Sequence, residues 1–219
     1  MRAGARADAG YSRASSMVIF DWNGTVVLDA DRAATALNDV LTGRGIAPVP
    51  ESEFSTTFRL PMAQMFTDLG IDDAGVTEAE AEWNTRMATT MTRLRSGVRE
   101  ALIQLADEDV WLGIVSAAAA EAVTHDLTSL DVPPVWDAVL APAADKVTVL
   151  RALRHHADTA VYVGDTAYDM QCAIEAGYQP VGVRGGYSSD TVLERAGATM
   201  LINDLIELVS LVCRGADAH

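Results

Sequence analysis

The feature that most constrains this chain is a succession of short apolar runs, each bounded by turn residues and separated from the next by a helical pattern. The runs fall at residues 18–20, 111–115, 138–140, 160–163, 180–183 and 200–202. They are too short for helices and lack polar–apolar alternation, which suits strands buried on both faces of a parallel sheet. Between them, Leu102 and Leu105 mark a helix after Ser96, a candidate N-cap, and Val147, Leu150, Ala152 and Leu153 mark another after Asp145. A third spans about 167–176 and ends at Gly177, where glycine tolerates the left-handed conformation of a helix stop. Strands and helices in alternation predict an α/β fold, a Rossmann-like, doubly wound parallel sheet.

One segment breaks the alternation. Residues 30–96 carry no strand pattern, while Leu37, Val40 and Leu41 make a helix face ending near Gly43 and Gly45. Thr77 and Glu80 have capping-box spacing ahead of a longer helix reaching Leu94. The expectation is a helical cap at 30–96, inserted between core segments 17–29 and 97–213. The first sixteen residues are rich in Ala, Arg, Gly and Ser with no apolar stretch, so they read as a disordered tail rather than a secretory signal, with Met17 opening the folded part. Residues 214–219 read as a C-terminal tail. No run approaches the ~18 apolar residues of a membrane span.

Charge narrows the partners. The formal net charge of −15 over 219 residues argues against nucleic acid and against anionic membrane surfaces. A phosphorylated ligand would therefore need a metal or a local positive charge. Cys172 and Cys213 lie far apart with no metal-type spacing, as expected of a reduced, cytoplasmic protein. All but one of the 16 basic residues are arginines, and the exception is Lys146. A chain with no general use for lysine keeps one where a compact point charge is wanted rather than a planar fork.

In an open parallel sheet, ligands gather at the C-terminal ends of the strands. Four polar signals fall there: Asp21 after the first run, in VIFDWNGT; Ser116 after WLGIV; Lys146 after AVLAPAAD; and Asp165 and Asp169 in VYVGDTAYD. Each alone is commonly a helix cap or a turn. Together, in this order, they resemble the four motifs of the haloacid dehalogenase superfamily: DxDGT, a strand-end Ser or Thr, a Lys opening a helix, and GDxxxD. The resemblance covers residues 17–213. The insert between the first and second motifs, and the later AGYQPVGVRGGYSSDTVLERAGATMLINDLIEL, are similar to the phosphoglycolate-phosphatase-like branch with its helical cap.

That resemblance implies a Mg²⁺-dependent phosphatase of a small phosphorylated metabolite, either a sugar phosphate or a phospho-acid such as phosphoglycolate. Asp21 would be the nucleophile, passing through an aspartyl-phosphate. Mg²⁺ prefers hard oxygens, which Asp21, the backbone carbonyl of Asn23 and Asp165 would supply, with Asp169 as a further ligand or an orienting group. Lys146 would neutralise Asp21 and the phosphate. Ser116, with backbone donors at Ala117 and on the Gly24–Thr25 turn, would hold phosphate oxygens. The physics agrees, because phosphoryl transfer needs an in-line nucleophile and fixed positive charge on the transferring oxygens.

Asn23 departs from the pattern. It stands where the family's second Asp protonates the leaving oxygen and then activates water, and an amide has no proton to trade. Three readings stay open: a phosphatase slow on alkoxide leaving groups, an enzyme whose leaving group needs little protonation, such as an acyl or enol phosphate, or a phosphometabolite-binding regulator with weak turnover. Relatives with Trp beside the nucleophile, like Trp22, use a cap lysine to form a Schiff base, and this cap has none. Metal-free dehalogenation disagrees with the GDxxxD pair. In the cap, Arg59 is the candidate reader of a second anionic group, while Phe58, Met62, Met65, Trp83 and Met87 read as packing. His125, His155 and His156 are given no catalytic role. The chain is expected to act as a monomer or homodimer.

Overall fold

The structure is a computed structural model that describes residues 13–213. Strand β1 (Ala14–Phe20) leads through a short β2 (Val27–Leu28) into four helices, α1 (Ala30–Thr42), α2 (Glu51–Thr57), α3 (Met62–Asp68) and α4 (Asp73–Thr89), and the chain returns by β3 (Arg93–Leu94). The remainder alternates: α5 (Val98–Asp107), β4 (Trp111–Val115), α6 (Ala120–Ser129), β5 (Ala138–Leu140), α7 (Lys146–Leu153), β6 (Ala157–Gly164), α8 (Ala167–Ala176), β7 (Gln179–Val183), α9 (Asp190–Arg195), β8 (Met200–Ile202) and α10 (Glu207–Cys213). Six strands make one parallel sheet in the order β5-β4-β1-β6-β7-β8.

The alternation of side chains along β1 builds two cores. Val18 and Phe20 pack with Val98, Leu102 and Leu105 of α5 and Leu208 of α10, whereas Met17 and Ile19 pack with Leu150 of α7 and Cys172 and Ala173 of α8. Both faces of the central strand are thus covered, which is why its sequence shows no polar alternation. Register puts Phe20 level with Ile114 and Val163. The three strand ends, and the polar residues just past them, therefore share one edge.

The cap has its own core, with Leu37 and Leu41 of α1, Phe66 of α3 and Trp83 and Met87 of α4 packed together. Its two chain connections to the core pair as the antiparallel β2 and β3. Tyr187, from the loop after β7, inserts into the cap cluster edge-on to Phe54 and Phe58, with ring centroids at 5.7 and 4.5 Å.

Several expected boundaries move. The sheet starts at Ala14 rather than Met17: Ser16 Oγ lies 2.9 Å from Thr159 Oγ1, and Arg13 donates to the Ala157 carbonyl at 2.6 Å. Residues 13–16 are therefore not tail, and the expectations for 1–12 and 214–219 lie outside the described residues. Helix α4 starts four residues before Thr77, capped by Asp72, which accepts from Gly75 N at 2.8 Å. It stops at Thr89, and Leu94 belongs to β3. Ser96 is not the cap of α5; the chain enters through Gly97 at φ 71°, where a Cβ would lie 2.1 Å from Asp204 Oδ1. Among the described residues, no helix is long and apolar enough to cross a membrane.

Candidate active site

Asp21 continues the sheet by one bond, its N–H donating to the Val163 carbonyl at 2.8 Å. The chain then turns tightly: the Trp22 carbonyl lies within 2.9–3.3 Å of the amides of Thr25, Val26 and Val27. Gly24 sits at φ 73°, and a Cβ there would fall 2.2 Å from Asp165 Oδ2. Glycine is therefore required twice over, by conformation and by space. Thr25 Oγ1 donates to Asp165 Oδ1 at 2.9 Å, and Tyr187 N donates to Oδ2 at 2.6 Å. Arg95, at the end of the cap's return strand, donates to the carbonyls of Gly24 and Thr25 at 2.5 and 2.8 Å.

Lys146 opens α7 behind Asp145, whose carboxylate accepts from Thr148 N at 3.0 Å. The lysine is completely buried, and its Nζ lies 2.9 Å from Asp21 Oδ1 and 2.7 Å from Asp169 Oδ1. Burial alone would push such an amine toward neutrality, but Asp169 and Asp21 outweigh it and hold its pKa well above the ordinary value. Asp169 is fixed in turn by a capping box at the start of α8, where Thr166 N and Oγ1 both donate to its Oδ2. Tyr162 Oη lies 3.3 Å from Asp169 Oδ1.

Three carboxylates against one ammonium leave an excess of negative charge. Oxygens of Asp21, Asp165 and Asp169, all buried, lie within 4.8 Å of one another. Burial, opposed by Lys146 and helped by Asp169, raises Asp21 from 3.8 to about 6. Burial, with the negative charges of Asp169 and Asp21, raises Asp165 well above the usual carboxylate range. This is a hard-oxygen donor set with charge to spare, the environment a divalent cation such as Mg²⁺ fits. Asp21 and Asp165 are the carboxylates that could hold it. Asp169, with one oxygen on Lys146 and the other on Thr166, is bound to its neighbours and orients them.

Above Asp21 lies a cavity of about 40 Å³. Its core side is formed by Asp21, Asn23, Ser116, Ala117, Ala118, Lys146 and Thr166, and its cap side by Phe58, Leu60, Met62 and Trp83 together with Tyr187 from the loop after β7. The structure thus brings Asp21, Asn23, Ser116, Ala117 and Lys146 together, with Asp165 and Asp169 directly behind. Gly24 and Thr25 do not line the cavity; they face Asp165, so their expected substrate contact is replaced by a supporting one. Arg59 also departs from expectation. It is exposed, pairs with Asp68 on α3, and is absent from the cavity wall. Phe58, Met62 and Trp83, read from sequence as packing alone, form that wall as well.

Behind Asn23 lies a buried polar network that sequence reading missed. Asn23 donates its side-chain amide to Asp29, which also accepts from Gly24 N at 2.9 Å, Tyr187 Oη at 2.9 Å and Arg32 Nη2 at 3.0 Å. Arg32 reaches Asp126 on α6 at 2.9 Å and the carbonyls of Met87 and Thr90 at 3.0 and 3.2 Å. Asp126 takes the Trp22 indole N–H at 3.0 Å. The arginine therefore ties both ends of the cap to a core helix. The sequence offered only Asp29 just before a helix and Arg32 one turn in, a pattern common on exposed helix starts.

A family description, haloacid dehalogenase-like hydrolase, matches residues 18–183. A phosphoglycolate phosphatase of Pectobacterium atrosepticum is 23% identical over 211 residues, covering 88% of this chain and 90% of its own length. Among solved structures, a predicted phosphatase from Clostridium acetobutylicum superposes with a TM-score of 0.80 at 19% identity, over 92% of this chain and 99% of that one. CbbY from Rhodobacter sphaeroides, in complex with phosphate, gives 0.69 at 16% identity, over 89% and 96%. At such identities the structural likeness speaks for the fold alone. With the motif residues converging at one strand edge and the family match spanning most of the sheet, the chain belongs to the haloacid dehalogenase-like hydrolases.

Proposed function

We propose that this protein is a Mg²⁺-dependent phosphatase that releases inorganic phosphate from a small phosphorylated metabolite by way of an aspartyl-phosphate on Asp21. One observation carries the reading: the chain's sole lysine is wholly buried with its Nζ 2.9 Å from Asp21 Oδ1, at the floor of a cavity. A buried ammonium there neutralises the nucleophile and meets the charge of an arriving phosphoryl group. Bound Mg²⁺ would supply further positive charge on the phosphoryl oxygens from its seat against Asp21 and Asp165.

The residues act in sequence. Asp21 is held in line by its sheet bond and by Lys146. Ser116, Ala117 and Ala118 line the same space, and the Ser116 hydroxyl, which accepts from Ala118 N at 3.2 Å, keeps its own proton to donate to a phosphoryl oxygen. The cap wall excludes water from the first transfer. A phospho-acid would need a cation for its carboxylate, and the described cavity wall holds none besides Lys146. The substrate of the Pectobacterium relative is therefore not carried over. The neutral part of the substrate instead meets Phe58, Leu60, Met62 and Trp83.

A second reading, a phosphometabolite-binding regulator, is favoured by Asn23, since the cavity wall contains no acid beyond Asp21. The two separate in one assay. Phosphate released from a phosphometabolite panel in Mg²⁺, and abolished in Asp21→Asn, supports the enzyme. Saturable binding with no phosphate released supports the regulator. We assign the protein to the cytoplasm, as a monomer or homodimer without nucleic-acid or membrane partners, on its acidic charge and its two free cysteines.

A further inference from the structure

The cavity wall has two properties that bear on what departs from phosphorus. It has no proton donor for a leaving alkoxide: beside Asp21 stand an amide, two hydroxyls, a lysine tied to two carboxylates, and Tyr187, whose hydroxyl is bonded to Asp29. One residue of that wall also carries an unused donor. Trp83 is 5% exposed, lines the cavity, and its indole Nε1 is buried with no hydrogen-bond partner among the described residues. Buried indole N–H groups ordinarily find an acceptor. The rest of the cap side is Phe58, Leu60, Met62 and Tyr187, with no cation to attract a second anionic group.

Resting on the phosphatase reading above, we infer that the substrate is a small acyl phosphate, its acyl body packed against Phe58, Met62 and Trp83 and its carbonyl oxygen accepting from Trp83 Nε1. An Asp21 carboxylate oxygen forms a bond to phosphorus while the phosphorus–oxygen bond to the acyl group breaks. The electron pair of that bond stays with the departing oxygen, which leaves as part of a carboxylate and takes no proton. Negative charge spreads onto the carbonyl oxygen as the bond breaks, so a hydrogen bond from Trp83 strengthens during the step. Water then attacks the phosphoryl group, the phosphorus–Asp21 bond breaks with its electrons returning to the carboxylate, and the water's proton goes to a phosphate oxygen of the product. Neither step asks Asn23 for a proton. The cavity of about 40 Å³ must seat the phosphoryl group as well, so the acyl body it takes is small.

The test is a leaving-group series with the full-length protein in Mg²⁺: acetyl phosphate, benzoyl phosphate, phenyl phosphate and glycerol phosphate, each corrected for uncatalysed hydrolysis. The expected kcat/KM for the acyl phosphates exceeds that for glycerol phosphate by about 10²-fold or more, the range a missing general acid accounts for. Trp83→Phe keeps an aromatic body and removes the N–H. It is expected to lower the ratio of acetyl phosphate to phenyl phosphate turnover roughly tenfold, the effect of one hydrogen bond to a developing charge. Glycerol phosphate turned over as well as acetyl phosphate overturns the inference while leaving the phosphatase reading intact. So does a Trp83→Phe variant that lowers every substrate in proportion. Phosphate release that does not depend on Asp21, or none from any substrate, overturns both. The wild-type series stands even if the Trp83 variant does not fold.

Discussion

Asn23 donates its side-chain amide to the carboxylate of Asp29, six residues on, and Asp29 is itself buried beneath Arg32 and Tyr187. The residue lacking the family's acid is thus adjacent to an acid, but one already accepting four hydrogen bonds. Replacing the amide by a carboxylate would put two like charges at hydrogen-bonding distance, and such a pair retains a shared proton. Asn23→Asp should therefore act as a proton donor, raising kcat on alkyl phosphates by about 10²-fold or more. Its melting temperature should fall, and fall further at pH 8 than at pH 5. Unchanged turnover of glycerol phosphate would show that proton transfer does not limit this site.

In the proposed mechanism, water must also attack the phosphorylated Asp21 without a general base at position 23. Hydrolysis of that intermediate is then the slow step on good leaving groups. Rapid mixing should show a burst of leaving group close to one equivalent per chain, followed by a slower steady rate. A linear time course from the first turnover would contradict this.

Lys146 balances two buried carboxylates, so its removal strands both. Breaking a buried pair on one side costs about 3–5 kcal/mol. Lys146→Met should lose that much stability at pH 8, and less at pH 5, where Asp21 can take up a proton. Denaturant unfolding at the two pH values, without metal, reads the difference.

Metal binding should couple to pH through Asp21. Its carboxyl ionises near 3.8 when unfolded and at about 6 when folded, so between those values the folded chain holds more protons. Its contribution to stability is therefore present at low pH and lost as pH rises through about 6. Mg²⁺ relieves the same repulsion and competes with the proton. The upward shift of Tm on adding Mg²⁺ should thus be larger at pH 8 than at pH 5. An equal shift at both would place the metal elsewhere.

Among the described residues, Arg32 is the single side chain linking Asp29, Asp126 and the end of α4. Arg32→Met should cost about 3–5 kcal/mol and lower kcat as well, because the cap loses its tie to α6. Wild-type stability in this variant would mean that Asp29 and Asp126 find other partners.

The sheet was legible because strands buried on both faces must be continuously apolar, and the motif acids and the lysine were legible because strand ends are where such residues converge. Lys146 stood out by rarity alone. The Asp29–Arg32–Asp126 network was not legible, since its members lie up to 97 positions apart, and only the closure of α4 against α6 buries them. Arg59 misled for a related reason. A loop's place in the chain says nothing of which way its side chain turns, and Asp68 captured it. The indole of Trp83 shows both sides of this: its helix spacing correctly implied packing, while its unpartnered N–H exists only in three dimensions.

Because the one lysine is sealed at the base of the site, the folded chain offers amine-directed reagents no side chain to modify. A lysine-specific protease would likewise have a single cutting place, at the start of α7. Cleavage there requires that Lys146 leave Asp21 and Asp169, so its rate is an intrinsic clock for opening of the catalytic edge, readable on the unmodified protein with no label attached.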